Sequence, residues 1–211
     1  MTATPNQSAS PKLNERFDEA LKYASDLHRT QTRKGGDIPY VGHLLSVASL
    51  VIEGGGTEDQ AIAALLHDAV EDQGGAPVLA EIREKFGDDV ATIVDECRDT
   101  DETPKPPWDE RKKQYIDHLG SYASEATILV SLADKLDNAR AILRDYRVHG
   151  DELWQRFNVK DPQKHLWYYR ELLKVFKAKN STWLVDELDR VFKELEGEVT
   201  KAAVPRDGAV A

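Results

Sequence analysis

The sequence predicts an all-α fold of about eight to ten helices, and three observations carry that expectation. Apolar residues recur at three- and four-residue steps over most of the chain. Capping residues and helix-opening prolines stand at the starts of those runs. No alternating run of Val, Ile, Thr or aromatic residues extends over about five positions, so no strand is expected.

Residues 1–11 are small, polar and proline-containing, and are expected to be a disordered tail. Phe17, Ala20, Leu21, Ala24, Leu27 and His28 then line one face of a first helix. Arg33 to Val41 (RKGGDIPYV) reads as a polar, glycine-rich loop. His43 opens a helix with Leu44, Val47, Leu50 and Val51. Thr57 and Gln60 have capping-box spacing ahead of the apolar run Ala61 to Leu66. Pro77 suits a first helical turn and Gly87 a helix end. Ile93, Val94 and Cys97 belong to the next helix. Asp99 to Pro107 is a second long loop, of the kind that often carries function. Ser124 can cap a long helix through Ile128, Leu132, Leu136, Ala139 and Leu143. Pro162 and Thr182 open two C-terminal helices, and a disordered tail is expected over 198–211. One domain over 12–197 is the expected organisation.

The 211 residues include 38 acidic and 28 basic side chains, a net charge of −10. A domain of this size can bury roughly 70% of its unfolded surface without a staple. Cys97 is the single cysteine, so an internal disulfide and a CxxC zinc site are excluded, and a reducing, cytoplasmic setting is expected. The acidic balance argues against a nucleic acid polymer as partner. No stretch approaches the ~20 apolar residues of a membrane span, and the N-terminus has no signal-peptide core.

The chemistry concentrates in three segments: Tyr40 to His43, Leu65 to Asp72 (LLHDAVED), and Leu132 to Asn138 (LADKLDN). On one continuous helix, positions 67, 68, 71 and 72 would share a flank, gathering an imidazole and three carboxylates beside a buried face. Such a cluster repels itself and is costly to desolvate unless a cation compensates it. Asp134, inside the apolar periodicity of VSLADKL, is expected to be paired or ligating. Imidazole nitrogens with carboxylate oxygens suit Mn, Fe(II) or Zn, and such a cation can acidify a water and polarise a phosphoryl oxygen. Glu71 and Asp72 are placed to orient or deprotonate that water. His28, His118, His149 and His165 carry no partner pattern and read as core or surface. Trp154, Trp167, Tyr168 and Tyr169 read as a packing surface.

A histidine, then His-Asp, then a later Asp resembles the HD-domain metal-dependent phosphohydrolases. RKGGDIPYVGHLLSVASLV, AALLHDAVEDQGG, IREKFGDDVATIVDECRD and ILVSLADKLDNAR together resemble the hydrolase domain of the RelA/SpoT alarmone enzymes. The single-domain small alarmone hydrolases match best in size. The resemblance implies an HD-type helical bundle and a metal, usually Mn²⁺, held by His43, His67, Asp68 and Asp134. It implies that Glu71 and Asp72 activate the attacking water. It also implies that Arg33 and Lys34 approach the phosphates, with Tyr40 and Asn138 near the nucleotide. The implied reaction removes the 3′-pyrophosphate of (p)ppGpp, leaving GDP or GTP, with a small nucleotide as the partner. With no synthetase segment after it, a hydrolase-only protein is expected. The chain departs from the family in DTDETPKPPWDERKKQ, where Lys105, Arg111 and Lys112 are candidate phosphate partners. Specificity for adenosine alarmones, the 2′-phosphate of NADPH or nucleoside monophosphates stays open, as does a non-catalytic alarmone sensor.

Overall fold

The computed structural model describes residues 13–100, 102 and 104–203, so the tail expected over 1–11 lies outside the described residues. The described residues form ten α-helices: α1 Glu15–Leu27, α2 Val41–Glu53, α3 Glu58–Leu66, α4 Ala69–Gln73, α5 Ala76–Phe86, α6 Asp88–Glu96, α7 Trp108–Ser121, α8 Glu125–His149, α9 Pro162–Lys179 and α10 Trp183–Ala203. A 3₁₀ segment, Gly150–Arg156, joins α8 to α9. Among these residues there is no strand, only an isolated antiparallel bridge between Thr32 and Pro39 that closes the first long loop.

Two helices are enclosed by the others. In α3 every residue from Ala61 to Leu66 is fully buried, and the helix packs against α1, α2, α6 and α8. The 25 residues of α8 span about 37 Å at 1.5 Å per residue. Every residue from Thr127 to Asp134 is buried, so this stretch of the helix is enclosed on all sides. Around it lie α2, α3, α6, α9, α10 and the 3₁₀ segment.

The starts of these helices follow the sequence signals. Thr57 Oγ1 accepts the Gln60 N–H at 3.4 Å while the Gln60 side chain accepts the Thr57 N–H at 2.7 Å. Ser124 caps α8 by accepting the Thr127 N–H at 3.1 Å. Pro162 occupies the first turn of α9, where its missing N–H costs nothing. Gly87 ends α5 and starts α6 with φ +93°, a backbone region that a side chain disfavours.

Two expectations are corrected. His67 and Asp68 do not share an unbroken helix with Glu71 and Asp72; they form the break between α3 and α4. The His67 ring supplies the reason. Its Nδ1 lies 2.8 Å from the Ala64 carbonyl, the acceptor that an unbroken helix would offer to the Asp68 N–H. Both residues keep right-handed backbone angles, so the chain bends there without leaving the helical path. The C-terminal tail expected over 198–211 is helical as far as Ala203, and its remainder, 204–211, lies outside the described residues. Val199, 3% exposed, completes the apolar stripe Leu184, Leu188, Val191, Phe192 and Leu195, and Glu198 pairs with Arg147 at 2.8 Å.

Thr57→Ala is expected to cost about 1 kcal/mol in urea unfolding, with Thr57→Ser restoring most of it.

Candidate metal centre and cleft

Three separate stretches of backbone deliver the central side chains. The first turn of α2 carries His43, the α3–α4 break carries His67 and Asp68, and the buried half of α8 carries Asp134. One ligand atom from each of His43, His67 and Asp134 lies within 4.8 Å of the other two, and all three residues are buried. His43 Nε2 is 3.2 Å from Asp134 Oδ1 and 3.7 Å from Asp68 Oδ2. His67 Nε2 is 3.1 Å from Asp68 Oδ2 and 3.6 Å from Asp134 Oδ1. Asp68 is half-buried at the edge of this group, where its carboxylate also accepts the Tyr40 hydroxyl.

Both imidazoles have their Nδ1 engaged elsewhere, His67 with the Ala64 carbonyl and His43 with Asp137 at 2.7 Å. Both Nε2 atoms are buried without a hydrogen-bond partner. Two orphaned imidazole nitrogens facing two carboxylates fit a divalent cation. Ligands about 2.1 Å from one ion sit roughly 3.0–3.4 Å apart at octahedral or tetrahedral angles, close to the separations found.

The electrostatics agree. Burial pushes the His43 imidazole down, but Asp134, Asp137 and Asp68 outweigh it and hold its pKa up at about 9. His67 is buried as well, yet Asp68 and Asp134 hold it well above the usual histidine range. Burial pushes the Asp134 carboxyl up, but Lys135 and the two imidazoles hold it well below the usual carboxylate range. Positive charge is what the cluster demands, and a proton or a cation can supply it.

A cavity of about 380 Å³ opens beside the cluster. Asp68, Glu71, Asp72 and Asp134 line it together with Arg33, Lys34, Lys112 and Lys135, and Trp108, Phe157, His165, Tyr168 and Tyr169 add aromatic surface. Lys135 donates to Asp134 at 2.6 Å and lies over the Tyr115 ring. Lys112 sits over the Tyr168 ring and donates to Asp99 at 2.9 Å. Burial, reinforced by Lys135, pushes the Lys112 ammonium down to about 7.

The remaining expected residues divide. Glu71 and Asp72 both line the cavity, Glu71 accepting Lys105 at 2.7 Å and Asp72 accepting Gln31 Nε2 at 2.7 Å. Burial and the nearby Asp68 charge raise the Asp72 carboxyl above its ordinary value. Arg33 also lines the cavity, and its guanidinium donates to Asp137 and, at 3.2 Å, to Asn138 Oδ1. Asn138 in turn donates to Asp134. Lys34 stays exposed on the loop; beside it Gly35 has φ +78° and is crossed closely by the Arg156 side chain, leaving no space for a Cβ. Tyr40 stacks on His28 at 5.5 Å between ring centres and reaches Asp68.

Sequence reasoning missed Gln31, Lys135 and Asp137. It also undervalued His28, which is buried and bonds Gln31 Oε1 at 2.7 Å through Nδ1. The aromatic segment of α9 is core, as expected, for Tyr168 and Tyr169, but both rings also face the cavity.

Residues 20–161 match the HD domain family model, and the chain belongs to the HD-domain family. It is 37% identical over 179 residues to the guanosine-3′,5′-bis(diphosphate) 3′-pyrophosphohydrolase MESH1 of Xenopus tropicalis, covering 83% of this chain and 92% of that protein. It is 34% identical over 133 residues to the guanosine-3′,5′-bis(diphosphate) 3′-pyrophosphohydrolase of Aquifex aeolicus, covering 63% of this chain and 18% of that longer protein. The solved structure of a metazoan ortholog of SpoT that hydrolyses ppGpp superimposes with a TM-score of 0.70 at 30% identity, over 87% of this chain and 97% of that one. The crystal structure of lmo0812 from Listeria monocytogenes gives 0.63 at 29% identity, over 72% and 97%.

His67→Ala and Asp68→Ala are each expected to weaken divalent-cation binding by more than the ~10–100-fold that loss of a supporting partner costs. Metal analysis after gel filtration reads this directly.

Proposed function

We infer that this protein is a metal-dependent hydrolase that removes the 3′-pyrophosphate from guanosine 3′,5′-bis(diphosphate)-type alarmones. One observation carries the reading. Two buried, unpartnered imidazole nitrogens face two carboxylates that border a cavity of about 380 Å³, which lysines and the pair Glu71 and Asp72 also line. The activity of the similar proteins supports it. His43, His67, Asp68 and Asp134 are the proposed ligands, Mn²⁺ the proposed cation and the cytoplasm the proposed setting. The domain is proposed to span 12–197, with α10 continuing beyond it.

When bound, a divalent cation supplies Lewis-acid polarisation of a phosphoryl oxygen and an acidified water. The chain's own residues do the rest. Water attacks the phosphorus joined to the ribose 3′-oxygen, that P–O bond breaks, and pyrophosphate forms while the departing 3′-oxygen takes up a proton from solvent, balancing the one that Asp72 removes from the water and returns to solvent. Asp72 takes the water's proton, since burial and Asp68 raise its basicity while Gln31 keeps it aimed. Glu71 aligns the same water from the neighbouring position. Lys34, Lys112 and Lys135 balance phosphate charge as it is placed and redistributed. Arg33 borders the same cavity and is held onto Asp137 and Asn138, thereby also setting the position of the loop that carries Lys34. Asn138 and Tyr40 orient Asp134 and Asp68 where they border the substrate.

A metal-reconstituted assay comparing guanosine and adenosine 3′-diphosphate substrates, with pyrophosphate and phosphate scored separately, tests the reading. Pyrophosphate release from the guanosine substrate is expected. Monophosphate release alone would assign the site to another HD phosphohydrolase specificity, and tight binding without turnover would make it a sensor.

Glu71→Ala should keep its metal and lose turnover by ~10²–10⁴-fold, the range for a positioned proton-transfer or water-aligning group; a wild-type rate would remove Glu71 from the mechanism. The kcat profile at saturating metal should fall on the acid side as Asp72 is protonated, above the ordinary aspartate range. Gln31 donates to the ionised carboxylate and stabilises it, so Gln31→Leu should move that acid limb to higher pH.

A further inference from the structure

His67 and His43 are held in their tautomers by different means. His67 donates Nδ1–H to a main-chain carbonyl of its own helix, which no substitution at a neighbouring position removes. His43 has no such partner. Its Nδ1 faces Asp137 Oδ2 at 2.7 Å, one turn beyond Asp134 on α8. The other carboxylate oxygen of Asp137 accepts the Ser46 hydroxyl at 2.5 Å, and Arg33 Nη2 donates to the same Oδ2 that His43 uses. Arg33 Nη2 also lies 3.0 Å from His43 Nδ1. Without the carboxylate, the guanidinium would donate to that nitrogen. The imidazole proton would then move to Nε2 and point at the ligand cluster.

We propose that Asp137 is a positioning residue that keeps the proton of His43 on Nδ1, so that Nε2 presents its lone pair to the cation, and that ties Arg33 to the same carboxylate. The inference rests on the metal-centre reading above and deepens it. An imidazole ligand commonly hands its second N–H to a carboxylate, and losing that partner typically costs ~10–100-fold in metal affinity. Three donors converge on Asp137, which has 14% of its side chain exposed, and the carboxylate stays ionised: burial pushes it up, but His43, Ser46 and Arg33 hold it below the usual range. Asp137 therefore joins the metal ligand on α2 to the arginine of the first long loop. Loss of the carboxylate should be felt at both the cation and the loop.

The test titrates Mn²⁺ into wild type, Asp137→Ala, Asp137→Asn and Arg33→Ala, counting free Mn²⁺ by its electron paramagnetic resonance signal. Asp137→Ala is expected to bind ~10–100-fold more weakly. Asp137→Asn, isosteric and able to keep an acceptor toward His43, should lose less affinity. Arg33→Ala should bind like wild type, because it leaves the Asp137–His43 bond in place. In proton NMR of the metal-free protein, the downfield Nδ1–H resonance of a carboxylate-bound imidazole should be present in wild type and Arg33→Ala and absent from Asp137→Ala. If both Asp137 variants bind Mn²⁺ as tightly as wild type, the inference is overturned, whatever their turnover. If wild type itself leaves the Mn²⁺ free, the metal-centre reading fails, and this inference with it.

Discussion

Asp134 is an ionised carboxylate in the buried stretch of α8, and the rest of the site is arranged to make that tolerable. Its neighbours are Lys135, His43, His67 and Asn138, each contributing charge or a hydrogen bond. Removing one partner of a buried pair leaves an uncompensated charge at a cost on the order of 3–5 kcal/mol. The cluster is thus costly to assemble and costly to disrupt. α8 can carry it because its other buried positions, such as Leu129, Leu132 and Leu136, bury apolar surface against α2, α3 and α10.

Much of this was legible from residue order. Helices announce themselves by periodicity and by caps, and Thr57, Ser124, Pro77 and Pro162 do in three dimensions what their positions suggest. His67 and Asp134 were visible because polar groups interrupt or end apolar runs, and such interruptions need a reason, whereas His43 was picked out by the resemblance. The break at His67 was not legible. It depends on a side-chain nitrogen capturing a carbonyl three residues back, a local competition with no periodic trace. The end of α10 was misplaced because Val199 lies among charged residues, and only its burial shows that it continues the stripe.

The supporting residues were harder to find for another reason. Gln31, Lys135 and Asp137 act across gaps of 41, 1 and 94 positions, contacting Asp72, Asp134 and His43. A glutamine in a loop or an aspartate on a helix looks like an ordinary solvated side chain until its partner is known. Arg33 was given a phosphate role by the resemblance; it borders the cavity, and two groups of α8 also hold it, a tie that its place in a polar loop does not announce.

Along α8, Asp134, Asn138, Ala141, Ile142 and Asp145 all border the cavity, and Asp145 lies eleven residues, or close to three full turns, beyond Asp134. The floor of the binding space is therefore a ruler about 16 Å long, marked at 1.5 Å per residue by a single hydrogen-bonded ladder. Loops above it can lengthen or change composition without altering the distance from reacting phosphate to far wall. The spacing of the α8 groups along the cavity is thus fixed by helix pitch, while the loops and α9 supply the side chains that complete its lining.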